Sequence, residues 1–158
     1  MPAKPGLTLK QVLQKAIERE IASQKLYADL ALQAPNQAGK EALEELARQE
    51  RGHRELLEKY QRGELKGGAL HAENVIDYKI AESADLSMIS HDMEIKDVFL
   101  LAATREQAAH DGYSALAAAH PAGRVKKLLE DIASQELTHK HRIEFLYTEV
   151  AFPQTDGG

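Results

Sequence analysis

Six residues are of the right types and spacing to do chemistry together: Glu20, Glu50, His53, Glu106, Glu136 and His139. Two of the glutamates open a Glu-x-x-His unit, Glu50-Arg-Gly-His53 and Glu136-Leu-Thr-His139. Each unit follows a lone glutamate, Glu20 or Glu106, by thirty residues. On a helix, residues i and i+3 share a face one turn apart, so each unit turns a carboxylate and an imidazole the same way. All six interrupt stripes of otherwise apolar residues. Burying an unpaired carboxylate costs several kcal/mol, and four in one core are untenable unless something cancels their charge. Two divalent cations do so, and the two imidazoles add neutral nitrogen donors. A polar device that specifies helix register explains one or two such interruptions, not six.

The elements that must position these residues are four predicted helices, at 8–33, 38–62, 95–119 and 123–148. Glycine and proline cluster between long stretches rich in Ala, Leu, Glu, Lys and Gln, which favour helix. Thr8 followed by Gln11 forms a capping box, and Pro35 and Pro121 each break the chain after a helix. The first and third stripes read Leu13, Ile17, Glu20, Gln24, Tyr27, Ala31 and Phe99, Ala103, Glu106, His110, Tyr113, Ala117. The second and fourth read Leu43, Leu46, Glu50, His53, Leu57, Tyr60 and Leu129, Ile132, Glu136, His139, Ile143, Leu146. Alternating steps of three and four place each stripe toward the centre of a bundle. Short links make each pair an antiparallel hairpin. The expected organisation is one all-α four-helix bundle domain, residues 1–151. Hairpins 7–60 and 93–146 are joined by a long crossover, 61–92, and a disordered tail follows at 152–158. Within the crossover, Glu73 to Glu82 fits a short helix or an extended piece equally well.

The two hairpins are copies. Residues 7–60 align with 93–146 at a constant offset of 86, and 18 of the 54 pairs are identical, where chance gives about three. The identities include Arg19/Arg105, Tyr27/Tyr113 and Gln49/Gln135 besides all three Glu and His pairs. The repeat implies a pseudo-two-fold bundle in which both halves present the same side chains to a shared centre.

On these motifs the chain resembles a rubrerythrin-type member of the ferritin-like superfamily, in register over 7–148. The resemblance implies a diiron-carboxylate site in which Glu50 and Glu136 bridge two metals. Glu20 and His53 would complete one metal, Glu106 and His139 the other. Tyr27 and Tyr113, each seven residues beyond a lone glutamate, would hydrogen-bond carboxylates across the bundle. Iron or manganese suits these oxygen and nitrogen donors, and zinc can occupy them. Two departures stand out. Rubrerythrins carry a further glutamate one turn from the first on the third helix. Here Ala103 and Ala109 flank Glu106 at three residues, and His110 lies one turn on, as a ligand or as an ordinary hydrogen-bonded core histidine. No rubredoxin-like domain is present either, since the chain has no cysteine.

The absence of cysteine also excludes disulfides, iron–sulfur clusters and thiolate catalysis. A net charge of −5 lacks the basic footprint of nucleic-acid binding. The longest apolar run, Val98 to Ala103, is far too short to span a membrane. No secretory signal is evident, so a cytoplasmic location is expected. The leading functional expectation is a diiron oxidoreductase, peroxidase- or ferroxidase-like, in defence against oxidative stress. It would react with O2 or H2O2, or oxidise Fe(II), with an external electron donor. The alternatives are a non-catalytic iron-storage protein and a structural zinc-binding bundle. The resemblance implies a homodimer. His71 and the His91-x-x-Glu94 pair read as solvated loop, and His120 and His141 as surface.

Overall fold

The computed structural model describes residues 6–76 and 93–152. Its elements are β1 (Leu7–Thr8), α1 (Leu9–Leu32), α2 (Gln37–Gln61), β2 (Val75–Ile76), α3 (Ile95–Ala118) and α4 (Arg124–Ala151). The four helices pair as α1 with α2 and α3 with α4. This is the all-α four-helix architecture expected from the stripes.

Local chemistry sets the helix starts. Thr8 Oγ1 accepts from the Gln11 amide at 3.2 Å and Gln11 Oε1 accepts from the Thr8 amide at 2.9 Å, which closes the capping box. Asn36 caps α2 by accepting the Gly39 amide at 2.7 Å. The crossover supplies further partners for α1: the amides of Leu9 and Lys10 donate to the carbonyls of Asn74 and Ala72. Just beyond, β2 pairs antiparallel with β1, Leu7 opposite Ile76. Residues 75–76 of the undecided segment are therefore extended. Residues 77–82 of that segment, His91 and the tail beyond Phe152 lie outside the described residues.

The crossover also lies against the turn between α3 and α4. The Val125 amide donates to the Gly67 carbonyl at 3.0 Å. A Cβ on Gly123 would meet that carbonyl oxygen at 2.7 Å, so only glycine allows the approach. Nearby, His120 departs from its surface expectation and is buried. Its Nδ1–H donates to the Leu116 carbonyl at 2.7 Å, so Nε2 is left to accept from the Tyr60 hydroxyl, also at 2.7 Å. The Tyr60 oxygen in turn accepts the Leu70 amide at 2.9 Å. With every polar atom in this chain satisfied, the imidazole can sit among apolar side chains. His71 and His141 are exposed.

The core divides into two apolar clusters. One holds Leu13, Ile17, Leu57, Tyr113 and Ile132. The other holds Tyr27, Leu46, Phe99, Ala103 and Ile143. On every helix the ionisable residues fall between members of the two clusters, so a polar layer is sealed from water above and below. Among the described residues no helix is long and apolar enough to cross a membrane.

Candidate metal centre

Each helix contributes to the layer: Glu20 from α1, Glu50 and His53 from α2, Glu106 from α3, Glu136 and His139 from α4. All six are at most 3% exposed. Their donor atoms form two groups, each within 4.8 Å: Glu20, Glu50, His53 and Glu136 in one, Glu50, Glu106, Glu136 and His139 in the other. Glu50 and Glu136 belong to both. The structure thus brings all six together and divides them as the repeat would, one lone glutamate and one histidine to each side.

The orientation of the donors is informative. His53 Nδ1 lies 2.8 Å from Glu136 Oε1, and His139 Nδ1 lies 2.6 Å from Glu50 Oε1. Yet none of these four atoms has an aligned hydrogen bond, and neither do Glu20 Oε2, Glu50 Oε2 and Glu106 Oε2. Seven buried polar atoms are close together but do not point at one another, as ligands around a shared ion do. Unsatisfied, each costs about 1–3 kcal/mol, which together would exhaust the 5–15 kcal/mol or so that holds an ordinary domain folded.

The atoms facing away from the centre are all engaged, and the partners cross between hairpins. The Tyr27 hydroxyl donates to Glu106 Oε1, and the Tyr113 hydroxyl to Glu20 Oε1, both at 2.5 Å. His53 Nε2 bonds Gln135 Oε1 at 2.6 Å, and His139 Nε2 bonds Gln49 Oε1 at 2.5 Å. An amide oxygen only accepts, so Nε2 carries a proton in both rings, and each ring in its neutral form presents its Nδ1 lone pair inward. The two imidazoles stack face to face, their centroids 5.7 Å apart.

Burial and mutual repulsion shape the titration of the layer. Burial, with the charges of Glu20, Glu136 and Glu106, pushes Glu50 well above the usual carboxylate range. Burial and the Glu136 charge do the same to Glu106. Burial also pulls Glu20 upward, but its contacts with Glu50 and His53, together with the charges of His53 and Arg19, hold it down at about 2. Burial pulls His53 down, but the carboxylates of Glu136 and Glu20 outweigh it and push the imidazole up to about 11. Burial and the adjacent Glu106 and Glu20 charges push Tyr27 and Tyr113 upward, so both phenols keep the protons they donate.

His110 joins neither group. Its Nδ1–H donates to the Ala133 carbonyl at 2.8 Å, and it is half-buried at the mouth of a groove between α3 and α4. Ala103 and Ala109 are buried and supply no donor.

Gln49 and Gln135 are the functional residues to which sequence reasoning assigned no role. Their signal was present: an identical pair in the repeat, each directly before a core glutamate, in a site where an inward-facing histidine needs a partner on its far nitrogen. Gln135→Ala leaves the His53 ring free to rotate or change tautomer. It is expected to weaken metal binding by 10–100-fold or so with little change in fold, read by competition with a chromophoric chelator. Affinity within twofold of wild type would remove this role.

Comparison with known proteins agrees with the geometry. The rubrerythrin family model matches residues 11–147. A crystal structure described as a ferritin-like diiron-carboxylate protein from Thermotoga maritima superposes with a TM-score of 0.67 at 24% sequence identity, covering 93% of this chain and 99% of that one. A search of curated protein sequences finds no match. The family match spans both hairpins and every residue of the buried layer, and on it the chain belongs to the rubrerythrin family.

Proposed function

We propose that this chain is a diiron protein that reacts with O2 or hydrogen peroxide. The observation that carries the proposal is the pair of buried donor groups sharing Glu50 and Glu136, with seven inward atoms that make no aligned hydrogen bond. Five carboxylate oxygens and two imidazole nitrogens suit iron in preference to softer metals. The description of the Thermotoga maritima protein as a diiron-carboxylate protein points the same way.

Glu20, Glu50 and His53 would hold one ion and Glu106, Glu136 and His139 the other, with the two shared carboxylates between them. Two ferrous ions held there would supply the two electrons that reduce one peroxide molecule, with two protons taken up and two waters released.

The chain's own residues prepare that chemistry. Four carboxylates balance the charge of two divalent ions, so the filled layer is neutral in its apolar surroundings. Gln49 and Gln135 keep both imidazoles in the tautomer that binds through Nδ1. The Tyr27 and Tyr113 hydroxyls hold one oxygen of Glu106 and of Glu20, which leaves the other oxygen of each for metal. Both phenols retain their protons at Oη beside the layer. The apolar clusters on either side exclude bulk water, which strengthens each of these interactions.

The test is anaerobic Fe(II) loading, desalting and metal analysis, followed by stopped-flow mixing with O2 and with H2O2. The expected result is about two irons per chain and oxidation at least tenfold faster than for free Fe(II). Retained iron that consumes neither oxidant faster than free Fe(II) would reject the catalytic reading in favour of a structural or storage role. Uptake far above two per chain would favour storage.

A further inference from the structure

The hydrogen bonds behind His139 continue outward to the surface of α2. The ring donates from Nε2 to Gln49 Oε1 at 2.5 Å. The amide nitrogen of Gln49 donates in turn to Glu45 Oε1 at 3.0 Å. Glu45, one helical turn back, is held by Arg48, whose Nε and Nη2 both donate to Oε2, at 3.0 and 2.6 Å. Each carboxylate oxygen of Glu45 thus has its own donors. The other half of the repeat lacks this extension. Gln135 meets His53 as Gln49 meets His139. The repeat mate of Glu45, however, is Asp131, one methylene shorter, and that of Arg48 is Ser134. Among the described residues no hydrogen bond joins Asp131 to Gln135.

We propose that Glu45 is a positioning residue: it fixes which end of the Gln49 amide faces His139, and so prepares the subsite of Glu106 and His139 for its metal. The proposal rests on the dinuclear reading above. The two ends of a carboxamide have nearly the same shape, but one only accepts and the other only donates. A flipped Gln49 would set its NH2 against His139 Nε2. The ring would then accept there and carry its proton on Nδ1, the atom that must take the metal. Glu45 excludes that state. An ionised carboxylate only accepts, so a flipped amide would bring two oxygens together with no proton between them. Arg48 holds the carboxylate in place for this selection. Gln135 has no such selector. It is exposed, and water donates and accepts equally well, so it favours neither end of the amide.

Two readouts test this. Nitrogen NMR of the metal-free protein gives the ring tautomer of His139, and competition with a chromophoric chelator gives the overall affinity for Zn(II). Glu45→Gln keeps the shape of the side chain and can meet either end of the Gln49 amide. Glu45→Asp keeps the charge and loses the reach. Both are expected to turn a single Nε2–H tautomer into a mixture, and to lower zinc affinity about fivefold. Asp131→Glu combined with Ser134→Arg moves the same anchor to the other half, and should raise zinc affinity by a similar factor. An unchanged His139 tautomer in Glu45→Gln would overturn the proposal. So would wild-type affinity in Glu45→Asp, which would trace the effect to surface charge rather than to the hydrogen bond. Unchanged affinity in the Asp131 and Ser134 double variant would count against it as well. Wild type that binds no zinc would overturn the dinuclear reading, while the tautomers of the metal-free variants still decide whether Glu45 sets the Gln49 amide.

Discussion

Replacing both shared carboxylates by amides, Glu50→Gln with Glu136→Gln, is expected to do two opposite things. Retained iron should fall from about two per chain to near zero. An amide contributes no charge to balance a cation, and both donor groups lose two of their four members. In the absence of metal, however, the variant should be more stable than wild type by about 1–4 kcal/mol at neutral pH. Glu50 is held above the carboxylate range by burial and by three neighbouring carboxylates, so the amide removes the cost of either ionising the group there or keeping it protonated, and its like shape leaves packing unchanged. Metal analysis and urea unfolding of the metal-free proteins measure the two effects. A register-setting polar core would behave otherwise, losing stability in the variant with no metal to lose. Stability that falls in the metal-free variant, or iron that stays, would reject the assignment of these carboxylates as the shared ligands.

The second large effect is on pH dependence, and its sign reverses with metal. In metal-free protein, Glu50 and Glu106 titrate above their ordinary value of 4.5, and His53 at about 11 against an ordinary 6.5. A group whose folded value is raised binds its proton more tightly in the native state. Stability is then lost as pH rises from the unfolded value through the folded one. Glu50 and Glu106 act in this direction from about pH 4.5 upward and His53 from about pH 6.5, so above 6.5 the metal-free protein should become less stable. Below that, burial holds His139 neutral, which opposes the trend. Glu20, held at about 2, contributes stability that is present above 4.5 and lost as pH falls toward 2.

Metal binding displaces the native-state protons, so affinity and the stability it confers should rise with pH. With Mn(II) in thousandfold excess over its dissociation constant, each site adds about 4 kcal/mol. At roughly 2–4 °C per kcal/mol for a chain of this size, the melting temperature should rise by about 10 °C or more at pH 8, and by much less at pH 5. Scanning calorimetry across that range, with and without metal, tests both slopes. A metal-free melting temperature that climbs from pH 6.5 to 8, or a metal effect that does not change with pH, would contradict the arrangement.

The sequence by itself determined the four helices, their pairing into hairpins, and which face of each turns inward. It also determined that six ionisable groups share that face. These follow from local rules: helix periodicity is set by the backbone, and residues three and four apart on one helix share a face whatever surrounds them. The gapless repeat then implied that the two halves meet as near-copies. The partner of each side chain was another matter. Tyr27 lies two turns from Glu20 on its own helix, yet donates to Glu106 in the other hairpin. Gln49 precedes His53 by four residues, a spacing that would let the two meet on α2, yet it bonds His139. His120 reads as surface beside Pro121, but Tyr60 from the other hairpin, itself bonded by the Leu70 amide of the crossover, hydrogen-bonds it. Arg19 and Arg105 are identical in the repeat and differ in burial. Only the tertiary structure decided these. Which atoms meet across a bundle depends on the axial and rotational offset between its hairpins, and packing of the whole core sets that offset rather than any local stretch of chain.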